Sequence, residues 1–153
     1  MRQWSWIGAC STGSSHIRAG TTCQDSAGCL ELADEHALLA IVSDGAGSAE
    51  HSAIGSRLVV ECFARCVIAH LRANQPFEAI TKELAVDWLD NVRDHIFRSA
   101  EQRAVSPREM AATLIGALVF LNRLSNFFRA PTNRSVVFGV YRHEERVLFS
   151  HCG

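Results

Sequence analysis

The sequence predicts an α+β protein built around one core, and three observations carry this prediction. The chain has 153 residues, which is enough for one domain of ordinary size but not for two. Its composition, with 48% hydrophobic and 20% charged residues, is typical of chains that bury a core on folding. Short apolar runs typical of strands precede two amphipathic helices, and a further apolar run follows them.

The first part of the chain contains the predicted strands. Residues 4–10 and 25–32 are short apolar segments, and residues 37–43 are a continuous apolar run that ends at the sequence DGAGS. The two glycines of DGAGS favour a turn directly after the run. We therefore expect a strand that delivers Asp44 to a loop.

Two long helices are predicted in the middle of the chain. From Ser52 to Leu71, apolar residues recur every three or four positions, which is the pattern of one helical face. The sequence NQP interrupts this pattern, and a second set of apolar positions then outlines a helix from Phe77 to about Arg103. The sequence VSPRE predicts a turn, and the apolar residues 112–121 predict a buried strand.

The last part of the chain differs in composition from the rest. Residues 122–153 contain five arginines and two glutamates, a net charge of +3, whereas residues 1–121 carry ten basic and fourteen acidic residues, a net charge of -4. Segments 136–141 and 146–150 have the pattern of a β-hairpin. We therefore divide the chain into a folded part, residues 1–121, and a divergent tail, residues 122–153.

Charge and hydropathy exclude several classes of partner. A net charge of -1 disfavours bulk electrostatic binding to nucleic acid or to an anionic membrane. The apolar runs are too short to cross a bilayer, and the sequence MRQWSWIGACSTGSS lacks the apolar stretch of a signal peptide. We expect a cytoplasmic protein without nucleic-acid or membrane partners.

Six cysteines are present, and none forms a CxxC pair that would indicate a zinc ribbon or a redox site. Cys62, Cys66 and His70 are spaced four residues apart, which places all three on one side of a helix. Two interpretations follow from this spacing. The three residues belong to an apolar core stripe, or they are the ligands of a helical metal sensor.

Two aspartates stand in distinctive settings, Asp25 in GTTCQDS and Asp44 in VSDGAGS. If their strands are neighbours in one sheet, both carboxylates project at the same edge, where magnesium or manganese takes oxygen ligands. Gly45 leaves its backbone carbonyl accessible as a further ligand. A strand that ends in DG is also a common turn, so spacing alone leaves both interpretations open.

Four ordered segments carry a resemblance to a known family. They are IGACSTGSSHIRAGTTCQDS, AIVSDGAGSAEHSAIGSRLVV, the two long helices, and REMAATLIGALVF, and together they cover roughly residues 5–121. This order resembles the PPM-type, or type 2C, metal-dependent protein serine/threonine phosphatases, most closely a bacterial branch whose opening reads S-H-x-x-x-G-x-x-C-Q-D. The resemblance implies an antiparallel β-sandwich flanked by helices, of which this chain holds the N-terminal part.

The resemblance also implies a site and a reaction. Asp25, Asp44 and Gly45 correspond to residues that bind a pair of Mg²⁺ or Mn²⁺ ions in the family, and Thr113 lies at the threonine of its G-T-T strand. The implied reaction is hydrolysis of phosphoserine or phosphothreonine by metal-activated water, without a covalent phosphoenzyme. The implied partner is a phosphorylated protein within a serine/threonine kinase system.

The chain also departs from the family pattern. Many members place an arginine five residues before the first aspartate to hold the phosphate. Gly20 stands there, Arg18 and His16 are the nearby residues that can substitute, and Arg18 is the candidate that we choose. Ser48 replaces the second glycine of the family's DGxGG motif. No aspartate follows Asp94, and the arginine-rich tail resembles no family segment, which suggests a truncated or frameshifted gene product.

These departures leave a second function open. A tightly held metal pair needs carboxylates beyond Asp25 and Asp44, so the alternative is a non-catalytic module that binds phosphoproteins or regulates a partner. A partial sandwich would also expose strand edges and apolar helix faces, from which we expect self-association.

Overall fold

The computed structural model describes residues 11–32, 37–73, 75, 79–120, 127–128 and 136–139. It has an α+β fold, as predicted. The elements in chain order are α1 (Ser14–Ala19), β1 (Ser26–Leu32), β2 (Ala37–Ser43), α2 (Ser52–Arg72), α3 (Lys82–Gln102), a 3-10 helix (Pro107–Met110), β3 (Leu114–Phe120), β4 (Phe127–Phe128) and β5 (Val136–Gly139). The predicted strand at residues 4–10 lies outside the described residues.

The strands form one sheet in the order β1-β2-β3-β5-β4. β2 lies between β1 and β3 and is antiparallel to both, which gives a three-stranded antiparallel sheet. β5 pairs parallel with β3 and antiparallel with β4. The first arm of the predicted hairpin, residues 136–141, is thus partly a strand of this sheet, and its second arm lies outside the described residues.

The hydrophobic core lies between the sheet and α2. The Phe63 side chain is fully buried and contacts Trp88 of α3 edge-on, with ring centroids 5.9 Å apart. Leu39 of β2 and Leu118 of β3 are register partners and are also fully buried in this core. Apolar residues recur on one face of α2 because that face is buried against the sheet.

The opposite face of the sheet is also apolar. Side chains alternate between the two faces of a strand, so Leu38 and its register partner Val119 lie on the face away from Leu39 and Leu118. Both are buried, whereas Ile115 on the same face is 48% exposed. A sheet that is apolar on both faces is consistent with a packed layer on each side. The antiparallel β-sandwich that the family resemblance implies stays a prediction.

Element boundaries differ from the sequence predictions in the loops. α3 begins at Lys82 rather than Phe77, because Thr81 caps the helix by accepting a hydrogen bond from the Leu84 amide. The predicted VSPRE turn is the start of the 3-10 helix, which has a capping box formed by Ser106 and Glu109.

Among the described residues, no helix combines the length and apolar character that crossing a membrane requires.

Candidate metal centre at the sheet edge

Asp25 and Asp44 lie at the same edge of the sheet. Ser26 and Ser43 are register partners at the end of the β1–β2 pair, so Asp25 directly precedes this pair and Asp44 directly follows it. Asp25 is half-buried and Asp44 is exposed. The two strands are therefore neighbours, which is the condition under which the sequence predicts a shared cation site.

Gly45 brings the two aspartate segments into contact. Its amide donates a hydrogen bond to the Gln24 carbonyl oxygen at 3.2 Å. A Cβ atom at this position would lie 2.6 Å from the same oxygen and 2.9 Å from the Ser52 Cβ. The backbone approach at this edge therefore requires glycine at position 45.

Thr113 holds the backbone of Asp44 in place. The Asp44 amide donates to Thr113 Oγ1 at 3.0 Å, and the Thr113 amide donates to the Asp44 carbonyl oxygen at 2.8 Å. The Ser43 hydroxyl donates to the Thr113 carbonyl oxygen at 2.6 Å. These hydrogen bonds fix the end of β2, and those to the amide and the carbonyl oxygen of Asp44 involve the aspartate of DGAGS directly.

The loop after Asp44 continues along the segment that precedes β3. Gly45 forms an isolated antiparallel bridge with Ala112, and the Ala46 amide donates to the Ala111 carbonyl oxygen at 2.9 Å. Further along, the His51 amide donates to the Glu109 carbonyl oxygen at 2.8 Å. Residues 44–51 and 109–113 are therefore joined repeatedly by backbone hydrogen bonds, and we call this pairing the loop clamp.

The donors at this edge fit a hard divalent cation. Asp25 and Asp44 supply carboxylate oxygens, and the Gly45 carbonyl is a further oxygen donor on the same turn. Gln24 Oε1 is buried and has no hydrogen-bond partner within the described part of the chain, although buried polar atoms are normally paired. An all-oxygen donor set suits Mg²⁺ or Mn²⁺ rather than a softer ion.

Arg18 occupies an exposed position on α1. Its Nε donates a hydrogen bond to the Ser14 carbonyl oxygen of the same helix at 3.2 Å. Gly20, which stands where many family members carry arginine, ends α1 in the left-handed conformation with φ 66°. A residue with a side chain would be strained there, and the phosphate-binding role of Arg18 stays a prediction.

The structure does not favour the helical metal sensor. The ligand atoms of Cys62, Cys66 and His70 do not all lie within 4.8 Å of one another, since only Glu50, His51 and Glu109 form such a group in the described residues. A hydrogen bond between the two thiols lowers the pKa of Cys62 to about 6 and raises that of Cys66.

Sequence reasoning missed several residues of this region. Gln24 lies inside the TCQDS motif, yet only the fold reveals its buried oxygen. In the sequence, Ser43 is only the last residue of an apolar strand, and its hydrogen bond to Thr113 is not predictable. Glu109 is distant in sequence from His51, and no spacing rule connects them.

The fold and this edge define an α+β protein with an oxygen-lined candidate site for divalent cations. A family model described as Protein phosphatase 2C matches residues 12–128, which include Asp25, Asp44, Gly45 and Thr113. Because the match covers more than half of the 153 residues, the chain belongs to the protein phosphatase 2C family.

A curated relative supports this assignment. Serine/threonine-protein phosphatase 3 of Escherichia coli (strain K12) is 28% identical over 119 residues, which are 75% of this chain and 46% of that relative. The chain thus spans about half the length of the curated relative that it matches. The two matches support an N-terminal fragment of a PPM-type domain. No solved structure matches the chain at a significant level.

Proposed function

We propose that the chain provides the N-terminal part of a metal-dependent phosphatase that acts on phosphoserine and phosphothreonine in proteins. The observation that carries this proposal is the position of Asp25 and Asp44, which both lie directly beyond the Ser26–Ser43 pair at the same edge of the sheet. Membership of the protein phosphatase 2C family supports the reaction class. The phosphatase name of the Escherichia coli relative supports phosphoserine and phosphothreonine as the substrate class.

Asp25, Asp44 and the Gly45 carbonyl would hold Mg²⁺ or Mn²⁺, and the buried Gln24 Oε1 adds a further acceptor on the Asp25 side. When bound, the ions would lower the pKa of water and neutralise charge on the phosphoryl oxygens. Thr113 acts as a positioning residue because it fixes the Asp44 backbone through two hydrogen bonds. Gly45 allows the two aspartate segments to approach each other.

Arg18 is the proposed phosphate-binding residue. Its side chain is exposed, so little free energy is lost when it exchanges its hydrogen bond to the Ser14 carbonyl oxygen for one to a phosphate oxygen. An arginine fork matches the geometry of a phosphate group. Because α1 ends at Ala19, Arg18 is separated from Asp25 only by the short segment that leads into β1.

A non-catalytic phosphoprotein-binding module is the second candidate. The observation that favours it is that the edge described above offers two aspartate carboxylates, those of Asp25 and Asp44. Two carboxylates at one edge suffice for one ion, whereas a tightly held ion pair needs more of them. Such a module would keep phosphate recognition without turnover.

Phosphate release from a phosphoserine peptide in the presence of Mn²⁺ separates the two candidates. The phosphatase proposal predicts turnover that Asp44→Asn abolishes. Asp94→Asn, on the exposed part of α3, is the matched control and should retain full turnover. Peptide binding without turnover would favour the module, and the absence of both would contradict both proposals.

We further propose a cytoplasmic protein whose partners are phosphorylated proteins within a serine/threonine kinase system. Self-association is proposed through the apolar face that carries Ile115, which is 48% exposed. Light scattering on the purified chain tests this. A dimer that Ile115→Lys converts to a monomer is expected, and a wild-type monomer at all concentrations would contradict it.

A further inference from the structure

A second group of candidate metal ligands lies at the far end of the loop clamp. The side chains of Glu50, His51 and Glu109 offer one nitrogen and two carboxylate oxygens, all within 4.8 Å of one another. The His51 Nε2 atom lies 3.9 Å from Glu109 Oε2. This group shares no residue with the Asp25–Asp44 edge.

Backbone contacts fix two of the three ligands before any ion binds. The His51 amide donates to the Glu109 carbonyl oxygen at 2.8 Å, which holds the two residues together. The Ser106 amide donates to Glu109 Oε1 at 3.3 Å, and this capping bond leaves Oε2 on the side of His51. The ligand geometry is therefore set by the start of α2 and by the 3-10 helix.

Close packing supports the same junction. A Cβ atom on Gly55 would overlap the Met110 carbonyl oxygen, so α2 and the 3-10 helix approach as closely as glycine permits. Met110 is fully buried beneath this contact. His51 and Glu109 thus project from two elements that cannot separate without breaking core packing.

The spacing of the donors fits one ion between them. Metal–ligand bonds to imidazole nitrogen and carboxylate oxygen are about 2.0–2.2 Å, so two ligands of one tetrahedrally coordinated ion lie about 3.3–3.6 Å apart. The separation of 3.9 Å between His51 Nε2 and Glu109 Oε2 is slightly larger than this distance. The exposed Glu50 side chain offers its oxygen within 4.8 Å of the other two ligand atoms, so a small movement of the side chains places one ion between them.

We propose that Glu50, His51 and Glu109 bind a divalent transition-metal ion of the zinc type. A mixed nitrogen and oxygen donor set prefers such ions, whereas the all-oxygen edge at Asp25 and Asp44 prefers Mg²⁺ or Mn²⁺. The two carboxylates balance the charge of the ion and would repel each other without it. The bound ion fastens residues 44–51 to residues 109–113, the clamp that presents Asp44 at the other site.

Calorimetric titration of the full chain with Zn²⁺, in excess Mg²⁺, tests this proposal. One Zn²⁺ per chain is expected, together with a rise in Tm. His51→Asn removes the nitrogen ligand but keeps a side chain suited to a helix N-terminus, and Glu109→Gln removes the charge but keeps the capping box. Each variant is expected to weaken Zn²⁺ binding by about 100-fold or more, beyond the loss typical of an outer-shell partner.

Two control variants complete the experiment. Glu61→Gln, at an exposed position of α2, and Asp44→Asn should both bind Zn²⁺ like the wild type. The second control separates this proposal from the phosphatase proposal, because Asp44→Asn removes the Mg²⁺ site only. Near-ultraviolet absorption of the Co²⁺-substituted chain should lack the intense sulfur charge-transfer bands that Cys62 and Cys66 would give.

Three results would overturn the proposal. The first is no Zn²⁺ binding, which would leave the His51–Glu109 contact as an ordinary ion pair. The second is binding that both His51→Asn and Glu109→Gln leave unchanged. The third is a thiolate spectrum with Co²⁺, which would assign the ion to cysteine.

Discussion

Strand β2 connects two different regions of the molecule, the core beneath α2 and the sheet edge that carries Asp44. Leu39 and Ile41 of β2 are buried against α2, whereas Asp44, three residues after Ile41, is exposed and held by hydrogen bonds from another part of the chain. The core depends on the burial of apolar area, which follows from periodicity. The edge depends on a few directed contacts between distant segments, so changes in the two regions should affect different measurements.

The largest effect is expected in the core. Phe63→Ala removes a fully buried ring and its contact with Trp88. We expect a loss of about 3–5 kcal/mol in the free energy of unfolding, from lost burial and the cavity left behind. Urea unfolding followed by circular dichroism measures this loss.

The matched control for this change is Phe97→Ala, because Phe97 is 55% exposed on α3. It should change the free energy of unfolding by at most about 0.5–1 kcal/mol. Equal losses from the two variants would contradict the placement of the core between α2 and the sheet.

A smaller effect is expected from Thr113→Val, which keeps the shape of the side chain and removes its hydroxyl. The Asp44 amide loses its acceptor in an exposed hydrogen bond, for which we expect a loss of about 0.5–1.5 kcal/mol in the free energy of unfolding. Mn²⁺ binding should weaken as well, since the Asp44 backbone is no longer fixed. Thr22→Val, at an exposed position before β1, is the control. Wild-type Mn²⁺ affinity in the Thr113→Val chain would contradict the positioning role of Thr113.

Helix α3 should lose about 1 kcal/mol of stability from Thr81→Ala, because the Leu84 amide loses its capping acceptor. Thermal unfolding measures the loss. Thr81→Ser keeps the hydroxyl and should retain most of the stability. If Ala and Ser variants unfold at the same temperature, Thr81 does not cap the helix.

The smallest effect is a pH dependence at the same helix end. A backbone hydrogen bond at the start of α3 and the Thr81 side chain lower the pKa of Glu83. Its folded pKa lies below its unfolded one, so the stabilisation is complete above the ordinary glutamate pKa and disappears as pH falls through the lowered pKa. Wild-type Tm should exceed that of Glu83→Gln at neutral pH, and the gap should close in acid. A gap that stays the same in acid would contradict the lowered pKa of Glu83.

Elements with strong periodicity were predictable from the sequence, and contacts between distant segments were not. The predicted range of β2 agrees with the structure, and that of α2 differs by one residue, because apolar spacing fixes both. The start of α3 was wrong because a single threonine cap outweighed the apolar pattern from Phe77. Asp25 and Asp44 were found through their motifs, whereas Gln24 and the His51–Glu109 pair depend on tertiary contacts that no local spacing encodes.

The central claim, that Asp25 and Asp44 together hold one divalent cation, is tested most directly by Mn²⁺ calorimetry. A His51→Asn background excludes the second group of ligands from the measurement. We predict that Asp25→Asn and Asp44→Asn each weaken Mn²⁺ binding by about tenfold or more. Because both residues hold the same ion, the double variant should lose much less than the sum of the two single losses. Unchanged Mn²⁺ affinity in either single variant, or fully additive losses in the double variant, would contradict the claim.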